Sequence, residues 1–197
     1  MKSCIDTIVQ LSASGYKVEH QFLNGCSNIC VARTVLAYDF LRSDADTLLF
    51  IDADLSWDTA GALRLVESPH DVIAGVYPAK QDDIHWLAKW REGQTRLLEA
   101  DGLPGGFLKI TRRALEKIAE KFPELHCKYR DRDMTAFFEN AIVDGELRGE
   151  DYAFCWRWQQ CGGKAFLDPD ITFEHYGRKA WQGNLQTYLT AHKRAAA

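Results

Sequence analysis

Thr47-Leu48-Leu49-Phe50-Ile51 is an uninterrupted uncharged, largely apolar run that ends directly on Asp52-Ala53-Asp54. A run of this length and composition reads as a strand covered on both faces. Ligands of open α/β sheets bind just beyond the carboxyl ends of such strands, so two carboxylates here stand at a metal and phosphate address. Residues two apart in extended chain project to one side, which lets Asp52 and Asp54 converge on one hard cation. A short acidic string also occurs as a plain solvated turn, and its place at a strand end is what favours the metal reading.

The 197 residues fit one domain spanning positions 1–197, large enough to bury a core without staples. A hydrophobic content of 46% and a charged content of 26% are those of a globular chain. The net charge of −4 leaves no basic footprint, which argues against nucleic acid as a partner. No apolar run approaches the roughly 20 residues of a membrane span, and the N-terminus lacks the basic-then-apolar layout of a signal peptide. A cytoplasmic protein is expected. Cys4, Cys26, Cys30, Cys127, Cys155 and Cys161 include no C-x-x-C pair, so reduced thiols rather than a zinc knuckle are expected.

Ile5, Ile8, Val9 and Ser12 recur at helical spacing before Gly15, so the chain opens on a helix. Lys17–Leu23 alternates as a strand, and Asn28 caps a helix whose inward stripe is Ile29, Ala32, Val35, Leu36 and Phe40. After the strand Thr47–Ile51, Asp58 caps a helix through Val66, and Asp71–Gly75 forms another strand. This rhythm predicts a mostly parallel sheet flanked by helices. His85–Arg91 and Gln94–Ala100, split by Glu92-Gly93, read as a hairpin. Gly105–Ile110 is a strand, followed by a helix capped by Thr111 and ended by Pro123. From Cys127 to Gly145 the pattern gives no regular element and suggests a functional loop. Glu150 and Asp151 open an aromatic-rich helix to Cys161, closed by Gly162-Gly163. Lys164–Leu167 and Ile171–Phe173 read as short strands, and Glu174-His175-Tyr176-Gly177 follows the second.

In this order the motifs resemble GT-A glycosyltransferases, and more closely the small family 2-like enzymes of bacteria and phages. The stretches that carry the resemblance are Asn28–Arg33 (NICVAR), Leu48–Trp57 (LLFIDADLSW), Val72–Lys80 (VIAGVYPAK), Gly102–Arg113 (GLPGGFLKITRR), Gly149–Pro169 (GEDYAFCWRWQQCGGKAFLDP) and His175–Gly177. The resemblance implies a GT-A, Rossmann-like α/β fold and transfer of a sugar from a nucleotide-sugar donor to a glycan or other hydroxyl acceptor. It departs from the family at the start. Relatives open on a central strand that contacts the nucleotide base, and here that first strand is missing, so weaker donor binding is expected.

Carried over residue by residue, the resemblance makes Asp54 a metal ligand, gives Asp52 contact with metal or ribose, and brings His175 back as a later ligand. Oxygen-rich ligation suits Mg²⁺ or Mn²⁺, and an imidazole tilts the choice toward Mn²⁺. In inverting members the aspartate matching Asp151 is the general base, with Glu150 in support. Acidic residues in a first helical turn also serve simply to offset the helix dipole, by about 0.3–1 kcal/mol. Gly105 and Gly106 match a loop lining the donor and acceptor pocket. Arg33, Lys80 and Arg178 are candidates for diphosphate contacts, because guanidinium and ammonium groups complement its oxygens. Tyr77, Trp86 and Trp181 are candidates for stacking on sugar or base.

Two other functions fit the same motifs. A nucleotidyltransferase on a related scaffold would use the cation at a pentavalent phosphate and release pyrophosphate. A degenerate sugar-nucleotide-binding module would keep the fold without turnover. Against it stand two acidic motifs and a histidine, whose grouped carboxylates cost free energy and need a purpose.

Overall fold

Capping residues and apolar runs set most of the element boundaries. The computed structural model describes residues 2–91 and 96–195. Helices α1 (Lys2–Ala13) and α2 (Ile29–Leu41) come first, then strands β1 (Thr47–Ile51) and β2 (Leu55–Trp57), helix α3 (Thr59–Glu67) and strand β3 (Val72–Gly75). The middle holds β4 (Lys89–Trp90), β5 (Leu98–Gly102), β6 (Phe107–Thr111) and α4 (Arg112–Lys121). The pairs β7 (His126–Tyr129) with β8 (Arg132–Thr135) and β9 (Ala141–Val143) with β10 (Glu146–Arg148) lead to α5 (Glu150–Gln160). The chain then runs through β11 (Ala165–Asp168), β12 (Thr172–Tyr176), β13 (Ala180–Asn184) and α6 (Leu185–Ala195).

The expected helix starts form on their caps. Asn28 Oδ1 accepts from Cys30 N at 3.0 Å and Val31 N at 3.3 Å, and Asp58 Oδ1 accepts from Gly61 N at 2.8 Å. Thr111 Oγ1 accepts from Ala114 N at 3.4 Å, and caps of this kind contribute about 1 kcal/mol each. The inward face of α2 differs from the expected stripe. Arg33, Thr34, Ala37 and Phe40 are buried, while Ile29 is exposed, because the helix turns Arg33 toward carboxylates on other elements.

A mostly parallel, GT-A or Rossmann-like sheet is not what forms. The main sheet has the order β1-β6-β3-β11-β5-β4, and β3 with β11 is its parallel pair; the other neighbours are antiparallel. The strand-helix-strand unit from β1 through α3 to β3 does make those two strands run the same way. They do not touch, because β6 enters between them from the opposite direction. Four of the five residues of β6 are buried, and an apolar run records burial on both faces, not direction. Two small sheets expected from no pattern also form: β7 with β8, and β9 with β10, across the stretch expected to be irregular and just past its end. A third small sheet joins β13, β12 and β2. The strand expected over Lys17–Leu23 does not form; this stretch is largely exposed and pairs with no sheet edge. The arms of the hairpin between His85 and Ala100 pair as β4 and β5, and Glu92-Gly93 lies outside the described residues.

The sheet separates two cores. On one face Phe40, Phe50, Leu108, Ile110, Leu115, Phe138, Phe154 and Trp158 join α2, α4 and α5 to it. On the other, Leu55, Trp57, Leu65, Ile73, Tyr77, Phe107 and Phe173 join α3 and the small β12 sheet. Lys109 is buried within β6, and its ammonium donates to the carbonyls of Ser68 at 3.0 Å and His70 at 2.6 Å beyond the end of α3.

Candidate active site

β1, β3 and β11 run the same way, so their carboxyl ends share one sheet edge, and the antiparallel β6 begins there. This is where the acidic pair surfaces. Asp52 N donates to Gly106 O at 2.8 Å, tying the end of β1 to the glycine turn before β6. β2 follows the acidic pair at once and pairs with β12 in a register that sets His175 opposite Leu55. Tyr176 N also donates to Asp54 O at 2.8 Å. The small sheet thus brings a histidine from far along the chain beside the acidic motif. Nothing in local sequence signalled β2, a three-residue strand whose partner lies far downstream.

His175 Nδ1 lies 2.8 Å from Pro78 O, a carbonyl that only accepts, so this nitrogen carries a hydrogen. Nε2 faces Asp54 Oδ2 at 3.6 Å, too far for a hydrogen bond. With a hydrogen on Nδ1, Nε2 is the ring nitrogen turned toward the carboxylate, and an imidazole that carries no second hydrogen offers its lone pair there. The Lys80 ammonium meets the same oxygen, Asp54 Oδ2. Among the described residues no group of three or more His, Cys, Asp and Glu side chains is gathered for a metal. Magnesium and manganese ions often take only one or two protein ligands and the rest from water and substrate phosphates.

Arg33 joins this edge to the second acidic motif. Its side chain is 5% exposed, Nη1 donates to Glu150 Oε1 at 2.7 Å, and Nη2 lies 3.6 Å from Asp52 Oδ2. The guanidinium also sits over the Phe138 ring, 5.8 Å from its centroid. Sequence reasoning offered Arg33 to a phosphate; the structure shows it engaged by carboxylates inside the protein. Burial pushes the Asp52 carboxyl above its ordinary range, and Arg33 partly offsets this. Asp151 is lifted in the same direction, first by burial and then by the charge of Glu150. Asp151 Oδ2 accepts from Gly105 N at 3.3 Å and Oδ1 from Tyr152 N at 2.8 Å, so backbone donors aim it at the glycine turn.

The two glycines leave space for side chains rather than for unusual backbone. A Cβ on Gly106 would stand 2.3 Å from Tyr77 Oη and 2.6 Å from Asp52 Oδ2. Tyr77 is buried, accepts from Gly106 N at 3.1 Å, and has its phenol pushed well above the ordinary value by burial and by Asp52. Tyr77 is therefore a support of the acidic motif rather than an exposed platform. Trp86 is buried under Gly183 and Tyr188, and Arg178 lies exposed on the turn after β12. A hollow of about 390 Å³ lined by His70, Asp71, Arg113 and Lys117 lies by the start of β3, at the opposite edge. The chemistry-bearing groups stand at the other edge, where β1 ends.

No family model matches the chain, and no curated protein matches it. Among solved structures, the crystal structure of A197 from STIV is similar, with a TM-score of 0.55 over 92% of this chain and 87% of that one at 21% identity. At that identity the likeness concerns the fold alone.

Proposed function

We propose that this chain is a metal-dependent glycosyltransferase that moves a sugar from a nucleoside diphosphate sugar to an acceptor hydroxyl. The observation that carries this reading is the approach of His175 Nε2 to Asp54 Oδ2, 3.6 Å apart at the edge where β1 ends. Asp54 and His175 would hold Mn²⁺ or Mg²⁺, with Asp52 beside them. Such an ion, when bound, neutralises charge that grows on a departing diphosphate. The remaining work falls to side chains. Asp151, lifted by burial, takes the proton of the acceptor hydroxyl as its oxygen bonds to the anomeric carbon and the bond to the diphosphate oxygen breaks. Glu150, held by Arg33, keeps that helix start in place, and the Gly105-Gly106 turn leaves room for Arg33, Tyr77 and Asp52 beside it. Free thiols at all six cysteines accord with a cytoplasmic setting.

The test is a screen of nucleotide sugars for donor consumption with Mn²⁺ or Mg²⁺, with Asp54→Ala alongside. Loss of an interaction worth about 4 kcal/mol slows turnover about a thousandfold. Release of pyrophosphate in place of nucleoside diphosphate would turn the assignment to nucleotidyl transfer. No consumption of any donor by the unmodified protein would leave a binding module.

A further inference from the structure

Lys80 and His175 approach one and the same oxygen, Asp54 Oδ2. We propose that Lys80 is a resident counter-ion of the cation site, which a divalent ion displaces and which then passes to the diphosphate of the donor. Metal and donor thus load cooperatively. This rests on the reading of Asp54 and His175 as metal ligands. An ion bound to Oδ2 sits about 2.0–2.6 Å from it, and an ammonium hydrogen-bonded to that oxygen would stand within a few ångströms of a double positive charge. Repulsion between the two cations at one oxygen favours departure of the singly charged one. Lys80 is built to leave. Its side chain is 35% exposed, and its stem runs along the turn after β12, where a Cβ on Gly177 would come within 3.1 Å of Lys80 Cδ. That turn holds the stem, so a head released from Asp54 would stay beside the site, within reach of a donor diphosphate. A lysine that merely formed a surface ion pair would contribute little and couple nothing.

The experiment uses the full chain with Mn²⁺ alone, read by electron paramagnetic resonance, and then a panel of UDP, GDP and ADP titrated calorimetrically at saturating Mn²⁺. Lys80→Met, which keeps most of the stem, should bind Mn²⁺ about tenfold more tightly than the unmodified protein and the preferred diphosphate about tenfold less tightly. Nucleotide should tighten Mn²⁺ binding in the unmodified protein and much less in the variant, as reciprocal linkage requires. Lys80→Arg keeps the charge and should bind Mn²⁺ as the unmodified protein does. Equal Mn²⁺ affinity in the unmodified and Lys80→Met proteins, or equal tightening in Lys80→Met and Lys80→Arg, overturns the counter-ion role and leaves the metal site standing. Mn²⁺ binding by none of the three, or binding unaffected by Asp54→Asn, overturns the metal site and the counter-ion with it.

Discussion

A Cβ placed on Gly105 would lie 2.3 Å from Cζ of Arg33, so the glycine turn before β6 and the buried guanidinium of α2 fit one another face to face. Arg33 has nowhere to retreat without leaving Glu150, because its side chain is almost wholly enclosed. Gly105→Ala should therefore cost about 1–3 kcal/mol, the usual range for overfilling a well-filled site. Urea unfolding gives the number. A variant as stable as the unmodified protein would mean that Arg33 is not held where the structure places it.

Arg33→Met removes the partner of Glu150 and the nearest cation to Asp52. Both carboxylates are partly reached by water, so the loss should be about 2 kcal/mol, below the 3–5 kcal/mol of a fully buried pair. Arg33 lowers the carboxyl of Asp52 against the upward pull of burial, so without it Asp52 rises further. A higher folded-state value means stability lost as pH climbs through it. The variant should fall further behind the unmodified protein at pH 8 than at pH 4, by denaturant midpoint at each pH.

Asp151→Asn should separate stability from activity. Burial and Glu150 lift the Asp151 carboxyl, so the folded protein keeps this proton to higher pH than the unfolded chain does. Ionising it therefore costs stability as pH rises from about 3.9, the unfolded value, through the lifted one. Asparagine cannot ionise, and its one carbonyl oxygen can serve Gly105 N or Tyr152 N but not both, a loss that does not depend on pH. Thermal melts should show the variant gaining on the unmodified protein as pH rises from about 3.5 to about 7. Transfer should fall by about 10²–10⁴, the usual contribution of a general base.

What could be read in advance follows the range of the forces involved. Asn28, Asp58 and Thr111 announce helix starts because a cap acts within three residues of itself. The acidic pair after β1 and the Glu150-Asp151 helix start were readable for the same reason. The direction of β6 was not, since a buried strand looks alike either way along its neighbours. Nor were the pairs β7 with β8 and β9 with β10, whose strands are short, half exposed and, except for β9, charged. Asp144-Gly145, with φ of +54° and +81°, does carry a hairpin-turn signal that the charged surroundings obscured. The orientation of Arg33 depends on carboxylates brought in by distant strands and helices, so the apolar stripe of α2 was drawn without it.

The far end of α2 supplies the last prediction. No basic residue lies in its own last turn, and Arg112 fills that place from the start of α4. Its guanidinium donates to Phe40 O at 3.1 Å, Leu41 O at 3.0 Å, Ser43 O at 2.7 Å and Ala45 O at 2.8 Å, and stacks 5.0 Å from the Phe40 ring centroid. Phe40 and Leu41 carry carbonyls of the last helical turn, and Ser43 and Ala45 those of the loop that follows it. Arg112→Ala should cost about 2–4 kcal/mol, less than the sum of four charged hydrogen bonds, because water reaches some of the freed carbonyls. Arg112→Lys should recover less than half of that, since one compact ammonium cannot span carbonyls held in a planar fork. Because α2 also carries Arg33, amide exchange in Arg112→Ala should quicken along α2 before the main sheet opens. Full rescue by lysine would reduce the role of Arg112 to charge alone, against the fork geometry seen at this helix end.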